Sequence, residues 1–399
     1  MRVCFLTHYY PPELGAPQAR IAALARGLAA GGAEVTVHTG FPNYPDGQIR
    51  EPYRNRPYLV EHDGPVKIVR TAIYPTPNRG FVKRLANHLS FCVSALLGMR
   101  LTGPQDVVVV ESPPLFTAGA AIPYARIKRA ALVTFVADRW PASAVELGAL
   151  DNGMAIRAAE ALEHRVYKSS AAITVPTDGL VKGLDALPSA HGRVFRLGPS
   201  IDVDIFDPAP PVPEGPLRVL YAGTIGMAQG LGTLLDAARI AGPDAVSLTI
   251  AGDGHDAPEL RARIDSGEVP GARMVGAIPH SQIPELYAQA DVAAVLLRDR
   301  PIFEGALPTK LIEAMAAGRA IVLSAKGESA ELVAQTGAGV SVPPEDPDAL
   351  AKALIELHAD RPRVAALGTA GRAVAVERFS RRLVVDQWRS LLDRVARPS

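Results

Sequence analysis

Cysteine is scarce in this chain of 399 residues, with only Cys4 and Cys92 present. Two thiols cannot form a disulfide framework or a four-ligand zinc site, so the sequence favours a reducing compartment. Long hydrophobic runs are also missing, because no apolar stretch reaches the roughly 18 residues that a membrane-spanning helix needs. The first apolar run ends at Leu6, and we expect it to be too short for a signal peptide.

An excess of either charge sign is missing as well. The chain has 42 Lys and Arg against 41 Asp and Glu, which leaves a formal net charge of +1. This balance argues against a general nucleic-acid-binding protein, because such proteins usually carry a strong basic excess. Hydrophobic residues make up 48% of the chain and charged residues 21%, a composition typical of a globular protein. At roughly 100–200 residues per domain, the length predicts two domains.

The first half of the chain begins with a strand, a helix and a second strand. Residues 3–6 are a short apolar strand, apolar side chains recur at helical spacing over 21–28, and residues 34–39 form the next strand. A unit of this kind implies a parallel sheet with both faces covered. Further apolar runs at 106–110 and 131–136 have the length of buried strands.

A proline-rich segment divides the chain. Five prolines lie within residues 205–216 and predict a stiff, non-helical connector, so we place the first domain at 1–204. A second series of alternating strands and helices occupies 217–379. Residues 380–399 carry an apolar helical stripe, and we expect this helix to pack back on the first domain. The predicted fold class is α/β, with two Rossmann-like parallel-sheet domains.

The architecture itself predicts a class of ligand. Open parallel sheets bind ligands at the carboxyl ends of their strands, where helix N-termini attract phosphate. Two such sheets predict a cleft that holds a phosphorylated ligand, with a second substrate opposite. The sequence contains no P-loop, no H-E-x-x-H, no G-x-S-x-G and no dinucleotide fingerprint. Asp202 and Asp204 form a D-x-D at the edge of the connector, where we expect a structural role and no metal.

Several motifs of the second half resemble glycosyltransferase family 4, whose members are retaining enzymes of the GT-B fold. Residues 308–322, PTKLIEAMAAGRAIV, resemble the nucleotide-sugar motif of that family. Residues 221–231, YAGTIGMAQGL, resemble its phosphate loop, and 201–206 resemble its interdomain motif. Residues 252–254 and 275–279 follow in the expected order. The resemblance implies two Rossmann-like domains that face each other across a cleft.

Two motifs of the first half resemble one branch of this family. They are YYPP at 9–12 and DRWP at 138–141. They are similar to the sugar transferases of capsule, O-antigen and colanic-acid clusters, often described as fucosyl- or fucosamine transferases. The likeness covers nearly the whole chain.

The resemblance implies a binding site for a nucleoside-diphosphate sugar. In it, Glu313 binds the ribose hydroxyls, which suits a carboxylate because it only accepts hydrogen bonds. The pyrophosphate gains charge as it leaves and needs prearranged donors. Backbone N–H groups of Thr309, Lys310 and Leu311, at a helix start, would supply them.

Three glycines are assigned to the donor site by the same resemblance. Gly223 lies in the phosphate loop, where a missing side chain allows close backbone approach. Gly252 begins the G-D-G motif that follows the next strand. Gly15, in the first loop of the chain, takes the place of the family's small residues near the donor phosphates.

The chain departs from the family pattern in its phosphate loop. Thr224 and Gln229 stand where many members carry basic residues. Lys310 is the best substitute for the missing cations, with Arg298 and Arg300 in the preceding loop as reserves. We therefore expect Lys310 to stabilise the leaving group.

A second departure concerns the family's pair of glutamates, E-x7-E. Gly305 stands eight residues before Glu313, and Glu304 lies one position further back. Glu304 can still reach the donor sugar if the loop is longer by one residue. The alternative is that the peptide N–H groups of Gly305 and Ala306 bind the sugar instead.

For a retaining reaction the resemblance implies same-face attack, with the departing phosphate taking the acceptor proton. This route needs no protein nucleophile, cofactor or metal. Asp138 is the acidic candidate of the first domain, because it follows an apolar strand. It either orients the acceptor hydroxyl or caps its own loop. The family's preceding His is replaced by Ala137. His8 is a weaker candidate, since a lone histidine is more often structural.

A basic segment is hidden within the neutral chain. No acidic residue lies between Asp63 and Asp106, whereas Lys83 and Arg84 fall in this gap together with four further Lys and Arg residues. Apolar residues at helical spacing follow them, and they exceed what one buried stripe requires. Two interpretations stay open. The segment is either a core helix with a solvated basic edge, or a helix that docks on a membrane or a lipid-pyrophosphate acceptor.

The sequence thus predicts a retaining, metal-independent glycosyltransferase that uses a nucleoside-diphosphate sugar and a hydroxyl acceptor, with uracil preferred over guanine by family resemblance. We expect it in the cytoplasm, with peripheral contact to the inner membrane face left open. A natural-product glycosyltransferase with a soluble acceptor and a catalytically silent sugar-nucleotide-binding module are the alternatives. A nicotinamide-dependent oxidoreductase is least supported, since the acid that would bind the ribose is missing.

Overall fold

The computed structural model describes residues 1–13, 15–44, 46–77, 81–146, 150–208 and 214–396. The chain divides into two compact units. Unit 1 consists of Met1–Gly198 with Arg382–Ser399, and unit 2 of Pro199–Arg381. Each unit contains one sheet with helices, so the predicted α/β class with two parallel-sheet domains is confirmed.

Unit 1 is built on a sheet in the order β3-β4-β2-β1-β5-β6-β7-β8. All neighbouring strands are parallel except β3 and β4. The strands are β1 (Arg2–Leu6), β2 (Glu34–Gly40), β3 (Tyr58–Asp63), β4 (Val66–Thr71), β5 (Val107–Ser112), β6 (Ala131–Val136), β7 (Ala172–Val175) and β8 (Val194–Arg196). The strand β5 reads VVVVES and is buried throughout, as expected for a parallel strand covered on both faces.

The helices of unit 1 connect these strands. They are α1 (Ala16–Ala30), α2 (Phe81–Gly98), α3 (Leu115–Lys128), α4 (Ala142–Glu146), α5 (Gly153–Ser169) and α6 (Asp178–Asp185). The side chain of Asn152 accepts hydrogen bonds from the first amides of α5, and that of Thr177 does the same for α6. Such caps satisfy amides that have no partner within the helix and explain why the helices begin there.

Unit 2 has a six-stranded sheet in the order β11-β10-β9-β12-β13-β14, parallel throughout. The strands are β9 (Leu217–Ala222), β10 (Val246–Ala251), β11 (Ala272–Gly276), β12 (Val292–Leu296), β13 (Ala320–Ser324) and β14 (Gly339–Val342). The helices are α7 (Gly232–Ala241), α8 (Ala257–Asp265), α9 (Ile283–Ala288), α10 (Thr309–Ala316), α11 (Glu328–Thr336), α12 (Pro347–Ala359) and α13 (Arg361–Val374), and a π-helical turn follows at Ala375–Phe379. The strand order reverses between β9 and β12, so the carboxyl ends of these two strands mark the expected ligand site.

The division between the units lies before the predicted boundary at residue 204. The N–H of Ile201 donates to the carbonyl of Phe379, and the N–H of Arg381 donates to the carbonyl of Ile201, both at 2.8 Å. Arg381 also forms an ion pair of 2.8 Å with Asp202. Residues 199–204 therefore belong with unit 2, because they bond to residues 379–381 at the end of that unit. Of the predicted connector 205–216, residues 209–213 lie outside the described part of the chain.

The last helix, α14 (Arg381–Ala396), packs on unit 1. The ring of Trp388 lies 6.0 Å from that of Phe135, and Leu391 and Leu392 are buried in the same core. Burying each large apolar side chain contributes roughly 1.5–3 kcal/mol, which accounts for the return of the chain to this unit. Within the described part of the chain, the helices are too short or too polar to cross a bilayer.

Candidate functional site

The carboxyl ends of β9 and β12 carry the two loops that the sequence analysis assigned to donor binding. Residues 223–231 follow β9, and residues 297–308 connect β12 to the start of α10. The N–H of Arg298 donates to the carbonyl of Ala228 at 2.9 Å, which ties the second loop to the first. The structure therefore brings both predicted loops together at the reversal point of the sheet.

Two glycines allow the loops after β9 and β10 to touch through their backbones. Gly223 and Gly252 have φ angles of 141° and 149°, a region that L side chains rarely adopt. A Cβ atom on Gly252 would overlap the carbonyl oxygen of Gly223. The N–H of Gly223 donates to the carbonyl of Ala251 at 2.9 Å. The positive φ favours glycine at both positions, and at Gly252 the close approach of the two loops requires it as well.

Lys310 extends from the first turn of α10 over the glycine loop. Its Nζ atom donates a hydrogen bond to the Tyr221 hydroxyl and lies 4.0 Å from the centroid of that ring. A Cβ atom on Gly223 would lie 3.0 Å from the Lys310 ammonium, so the glycine makes room for the cation. Tyr221 in turn donates to the carbonyl of Thr224 at 2.5 Å. These contacts hold the ammonium at the base of the loop.

Burial lowers the pKa of Lys310 to about 8, and the charge of Glu313 opposes this shift. Removing an ammonium from water disfavours its charged form, whereas a nearby carboxylate favours it. The lysine is thus a partly desolvated cation that Glu313 helps to keep charged. Such a group is suited to bind phosphate oxygens.

Glu313 lies on α10, one turn after the start of the helix. Its side chain is 13% exposed, and an Oε1 atom lies 3.5 Å from Nε2 of His280. This contact raises the pKa of His280, because the carboxylate stabilises the imidazolium. Tyr287 on α9 donates to the carbonyl of Lys310 at 3.2 Å and so supports the first turn of α10.

Tyr221, His280 and Tyr287 are contacts that the sequence analysis missed. Tyr221 occupies the end of β9 directly before the glycine loop, and His280 follows the A-I-P segment of the assigned motif order. Their positions were visible in the sequence, whereas their partners on α10 were not.

The two residues of the phosphate loop that depart from the family pattern both take part in hydrogen bonds in the structure. Gln229 turns inward and accepts a hydrogen bond of 3.1 Å from the N–H of Gly226 through its Oε1 atom. A lysine has no acceptor and could not make this contact. Thr224 contributes its carbonyl to Tyr221. The side chain of Gln229 therefore stabilises the loop, whereas Thr224 contributes only a backbone carbonyl.

The reserve arginines interact with a carboxylate. Arg298 and Arg300 lie 3.7 Å and 3.9 Å from the oxygens of Glu345. The Lys310 ammonium lies where a side chain on Gly223 would meet it, at the glycine loop itself, so Lys310 remains the better candidate for the missing cation.

The loop before α10 uses some of its polar groups internally. Glu304 has an exposed side chain, and its carbonyl accepts from the N–H of Glu328 at 2.7 Å. The N–H of Ala306 donates to the carbonyl of Phe303 at 3.0 Å, and its carbonyl accepts from Ser329. In this conformation the Ala306 amide already donates within the loop, so it could bind the sugar only if this hydrogen bond opens. Gly305, next to it, is half-buried.

The predicted amide donors at the start of α10 also differ from one another. The N–H of Leu311 donates to the carbonyl of Pro308 at 3.0 Å. Those of Thr309 and Lys310 belong to the first turn, where amides have no acceptor within the helix. In this conformation, Thr309 and Lys310 are the more suitable pair to bind an anion.

In unit 1, the predicted residues lie at two loops. Asp138 follows β6, is exposed, and accepts a hydrogen bond of 2.8 Å from the hydroxyl of Ser143 at α4. This contact favours the loop-capping alternative in the present conformation. Gly15 precedes the first turn of α1 and is exposed, and a Cβ atom there would overlap the side chain of Gln18.

The helix α2 presents an apolar row to solvent. Leu89, Val93 and Leu97 are 45%, 59% and 79% exposed. Lys83 and Arg84, one turn or more before this row, are exposed too. The buried face is instead formed by Asn87, Phe91 and Ala95. The apolar residues that the sequence analysis placed at helical spacing in this segment therefore lie partly in solvent.

Among the described residues, no group of three or more His, Cys, Asp and Glu side chains is arranged to hold a metal ion. Asp202 of the D-x-D segment accepts from Arg381.

The fold defines the class of protein. The chain superposes on sucrose-phosphate synthase from Thermosynechococcus elongatus with a TM-score of 0.77 and 19% identity, covering 98% of both chains. It also superposes on Anabaena Alr3699/HepE, solved in complex with UDP, with a TM-score of 0.72 and 15% identity, covering 99% of this chain and 100% of that one. These likenesses show the GT-B fold.

The sequence comparisons agree with the fold. The profile of the family described as "Glycosyl transferase 4-like domain" matches residues 15–199, and that of "Glycosyl transferases group 1" matches residues 216–360. The chain is therefore a glycosyltransferase with one domain of each kind. It is also 26% identical over 366 residues to the glycosyl transferase WcaI of Escherichia coli (strain K12), named for colanic acid biosynthesis, covering 86% of this chain and 88% of the relative.

Proposed function

We propose that this glycosyltransferase is a retaining enzyme that moves a sugar from a nucleoside-diphosphate sugar to a hydroxyl acceptor in the assembly of a cell-surface polysaccharide or glycolipid. The observation that carries the proposal is the position of Lys310, which donates a hydrogen bond to Tyr221 and lies within 3.0 Å of where a Cβ atom on Gly223 would stand. It combines a desolvated cation, a glycine loop and the first turn of a helix, three features that favour binding of a diphosphate. The name of WcaI supports the polysaccharide setting.

In this proposal each element of the site in unit 2 has one task. Glu313 accepts hydrogen bonds from the ribose hydroxyls of the donor. Lys310 and the amides of Thr309 and Lys310 stabilise the charge that develops on the leaving diphosphate. The departing phosphate oxygen takes the proton of the acceptor hydroxyl, so no protein nucleophile is needed. Asp138 orients the acceptor if its bond to Ser143 opens.

Two observations bear on the choice of donor. HepE was solved with UDP, and its likeness to this chain supports a uridine donor. The YYPP and DRWP motifs favour fucose or fucosamine as the sugar. A screen of the purified chain against UDP-, GDP- and dTDP-sugars, with and without EDTA, tests both points. Binding at micromolar Kd with slow release of nucleotide is the expected result for one donor, unchanged by EDTA.

The same screen separates the alternatives. Binding without release of nucleotide, even when a crude lipid-linked acceptor fraction is added, would favour a silent binding module. Absence of binding to every nucleotide sugar would contradict the proposal. Transfer to a water-soluble acceptor with no affinity for membranes would favour a natural-product glycosyltransferase.

We propose in addition that α2 docks on an anionic membrane surface. The support is the exposed apolar row Leu89, Val93 and Leu97 beside the exposed cations Lys83 and Arg84. Each basic residue near an anionic leaflet contributes about 1 kcal/mol. Vesicles with phosphatidylglycerol should bind the chain, and the double variant Lys83→Glu/Arg84→Glu should lose this binding. The exposed pair Arg157→Glu/Lys182→Glu is the matched control. Equal vesicle binding by all three proteins would contradict the docking role.

A further inference from the structure

His8 lies at the reversal point of the sheet in unit 1. It follows β1, which has β2 on one side and β5 on the other. Its side chain is 2% exposed, although it sits at the sheet edge where open α/β proteins bind ligands. Because this histidine is buried, both of its ring nitrogen atoms need hydrogen-bond partners other than bulk water.

Asn87 on α2 determines the tautomer of His8. The amide nitrogen of Asn87 donates to the carbonyl of Tyr74 at 2.6 Å and to the side chain of Asn43 at 3.3 Å. Its Oδ1 atom therefore faces Nε2 of His8, at 2.7 Å, and can only accept. His8 must carry its proton on Nε2, which leaves Nδ1 as a bare acceptor.

The Nδ1 atom of His8 is buried and has no hydrogen-bond partner among the described residues. Burial lowers the pKa of His8 to about 3, so the ring is neutral at neutral pH. A buried acceptor without a donor costs roughly 1–3 kcal/mol. This atom is therefore expected to meet a donor that comes from outside the chain.

A second histidine lies against the first. The ring centroid of His88 is 4.4 Å from that of His8, and its Nδ1 atom is also buried without a partner among the described residues. Burial and the charge of Arg84 lower the pKa of His88 to about 4, so this ring is neutral too. His88 is half-buried, so part of this residue is exposed although its Nδ1 atom is not.

We propose that His8 and His88 form a binding site for a hydroxyl group of the saccharide acceptor. A hydroxyl has one donor and two acceptor positions, so it can donate to Nδ1 of His8 and accept from Nδ1 of His88. Two neutral imidazoles suit an uncharged hydroxyl better than a phosphate. The inference rests on the proposed function, since it names the acceptor side of the same reaction.

The test uses the full chain with ¹⁵N-labelled histidine. Methyl α-glycosides of glucose, galactose, mannose and fucose are added separately to about 100 mM, because isolated sugars bind with millimolar Kd at best. At least one glycoside should shift the Nδ1 signals of His8 and His88, whereas those of exposed His164 and His191 stay unchanged. If none of the four shifts the pair, the inference is wrong, and the two nitrogens are served by water.

Two variants separate recognition from structure. His8→Gln keeps a donor for Asn87 but removes the Nδ1 acceptor, and His88→Phe keeps the ring but removes both nitrogens. Each should weaken the affinity for the shifting glycoside by about tenfold, as loss of one buried hydrogen bond does. Unchanged affinity in His88→Phe would contradict the inference even if His8→Gln does not fold.

Donor binding, measured in the same samples with UDP, keeps the two proposals apart. If UDP still binds but no glycoside shifts the histidine signals, only the proposed histidine site is wrong. If a glycoside binds but no nucleotide or nucleotide sugar does, the proposed donor site is contradicted and the proposed saccharide site is retained.

Discussion

The Lys310 ammonium lies 4.0 Å from the ring centroid of Tyr221 and donates a hydrogen bond to its hydroxyl, although the two residues are 89 positions apart in the chain. The Tyr221 hydroxyl in turn donates a hydrogen bond to the carbonyl of Thr224. A lysine on a helix is thereby held at a glycine loop, residues 223–231, that contains no Lys or Arg of its own. The predictions below follow from this contact and from the backbone packing around it.

Replacing Lys310 by Ala should lower kcat by about 10²-fold or more, because the leaving diphosphate loses a preorganised cation. The measurement is steady-state transfer or donor hydrolysis with the donor that the nucleotide screen identifies. Lys352→Ala, an exposed lysine on α12, is the control and should leave kcat within twofold. Wild-type turnover in Lys310→Ala would refute the assigned role.

The activity should decline as the pH rises through about 8. Burial lowers the pKa of Lys310 to about 8, so the ammonium is present below this value and is lost above it. Tyr221→Phe removes an acceptor that stabilises the ammonium, so the decline should begin at a lower pH. The measurement is kcat/KM against pH for both proteins, because this ratio reports the pKa values of the free enzyme. Superimposable profiles would show that Tyr221 does not position the cation.

Glu313→Ala should raise the donor Kd by roughly 10–100-fold, since charge-assisted hydrogen bonds contribute about 1.5–3 kcal/mol each. Calorimetry with UDP or the identified donor gives the value. Glu356→Ala, an exposed glutamate on α12, tests for a general charge effect and should bind as the wild type does. An unchanged Kd in Glu313→Ala would remove this residue from the donor site.

Gly252→Ala should destabilise the chain more than Gly267→Ala. Both glycines have positive φ, at 149° and 78°, but only at Gly252 would the added methyl group meet the backbone of Gly223. A left-handed conformation costs an L residue roughly 1–2 kcal/mol, and overpacking adds about 1–3 kcal/mol. Urea unfolding of both variants measures the difference. Equal losses would mean that the two loops are free to separate.

Local patterns in the sequence were sufficient for the two-domain α/β fold. Apolar runs located strands such as β6, and the P-T-K-L-I-E-A-M-A segment located α10, because side-chain periodicity reports directly on strand and helix. The same patterns did not place the unit boundary. Ile201 belongs to unit 2 through bonds to Phe379 and Arg381, and no local signal reports a pairing across so long a separation.

The outward face of α2 shows a second limit. Its sequence contains two apolar rows, and periodicity alone does not choose between them. In the structure, Phe91 and Ala95 are buried in the core together with the polar Asn87. The side-chain amide of Asn87 forms hydrogen bonds with His8 and with the carbonyl of Tyr74. Leu89 and Val93 were left in solvent.

By itself, the sequence determined strands such as β1, β2, β5 and β6, the helix α10, the glycine loops and the residue types of the proposed donor site. Only the tertiary structure decided which side chains meet: Lys310 with Tyr221, Glu313 with His280, and His8 with Asn87 and His88. The physical reason is that helix and strand periods depend on neighbours a few positions apart. Contacts between side chains of different loops depend instead on the sheet order that brings those loops to one edge.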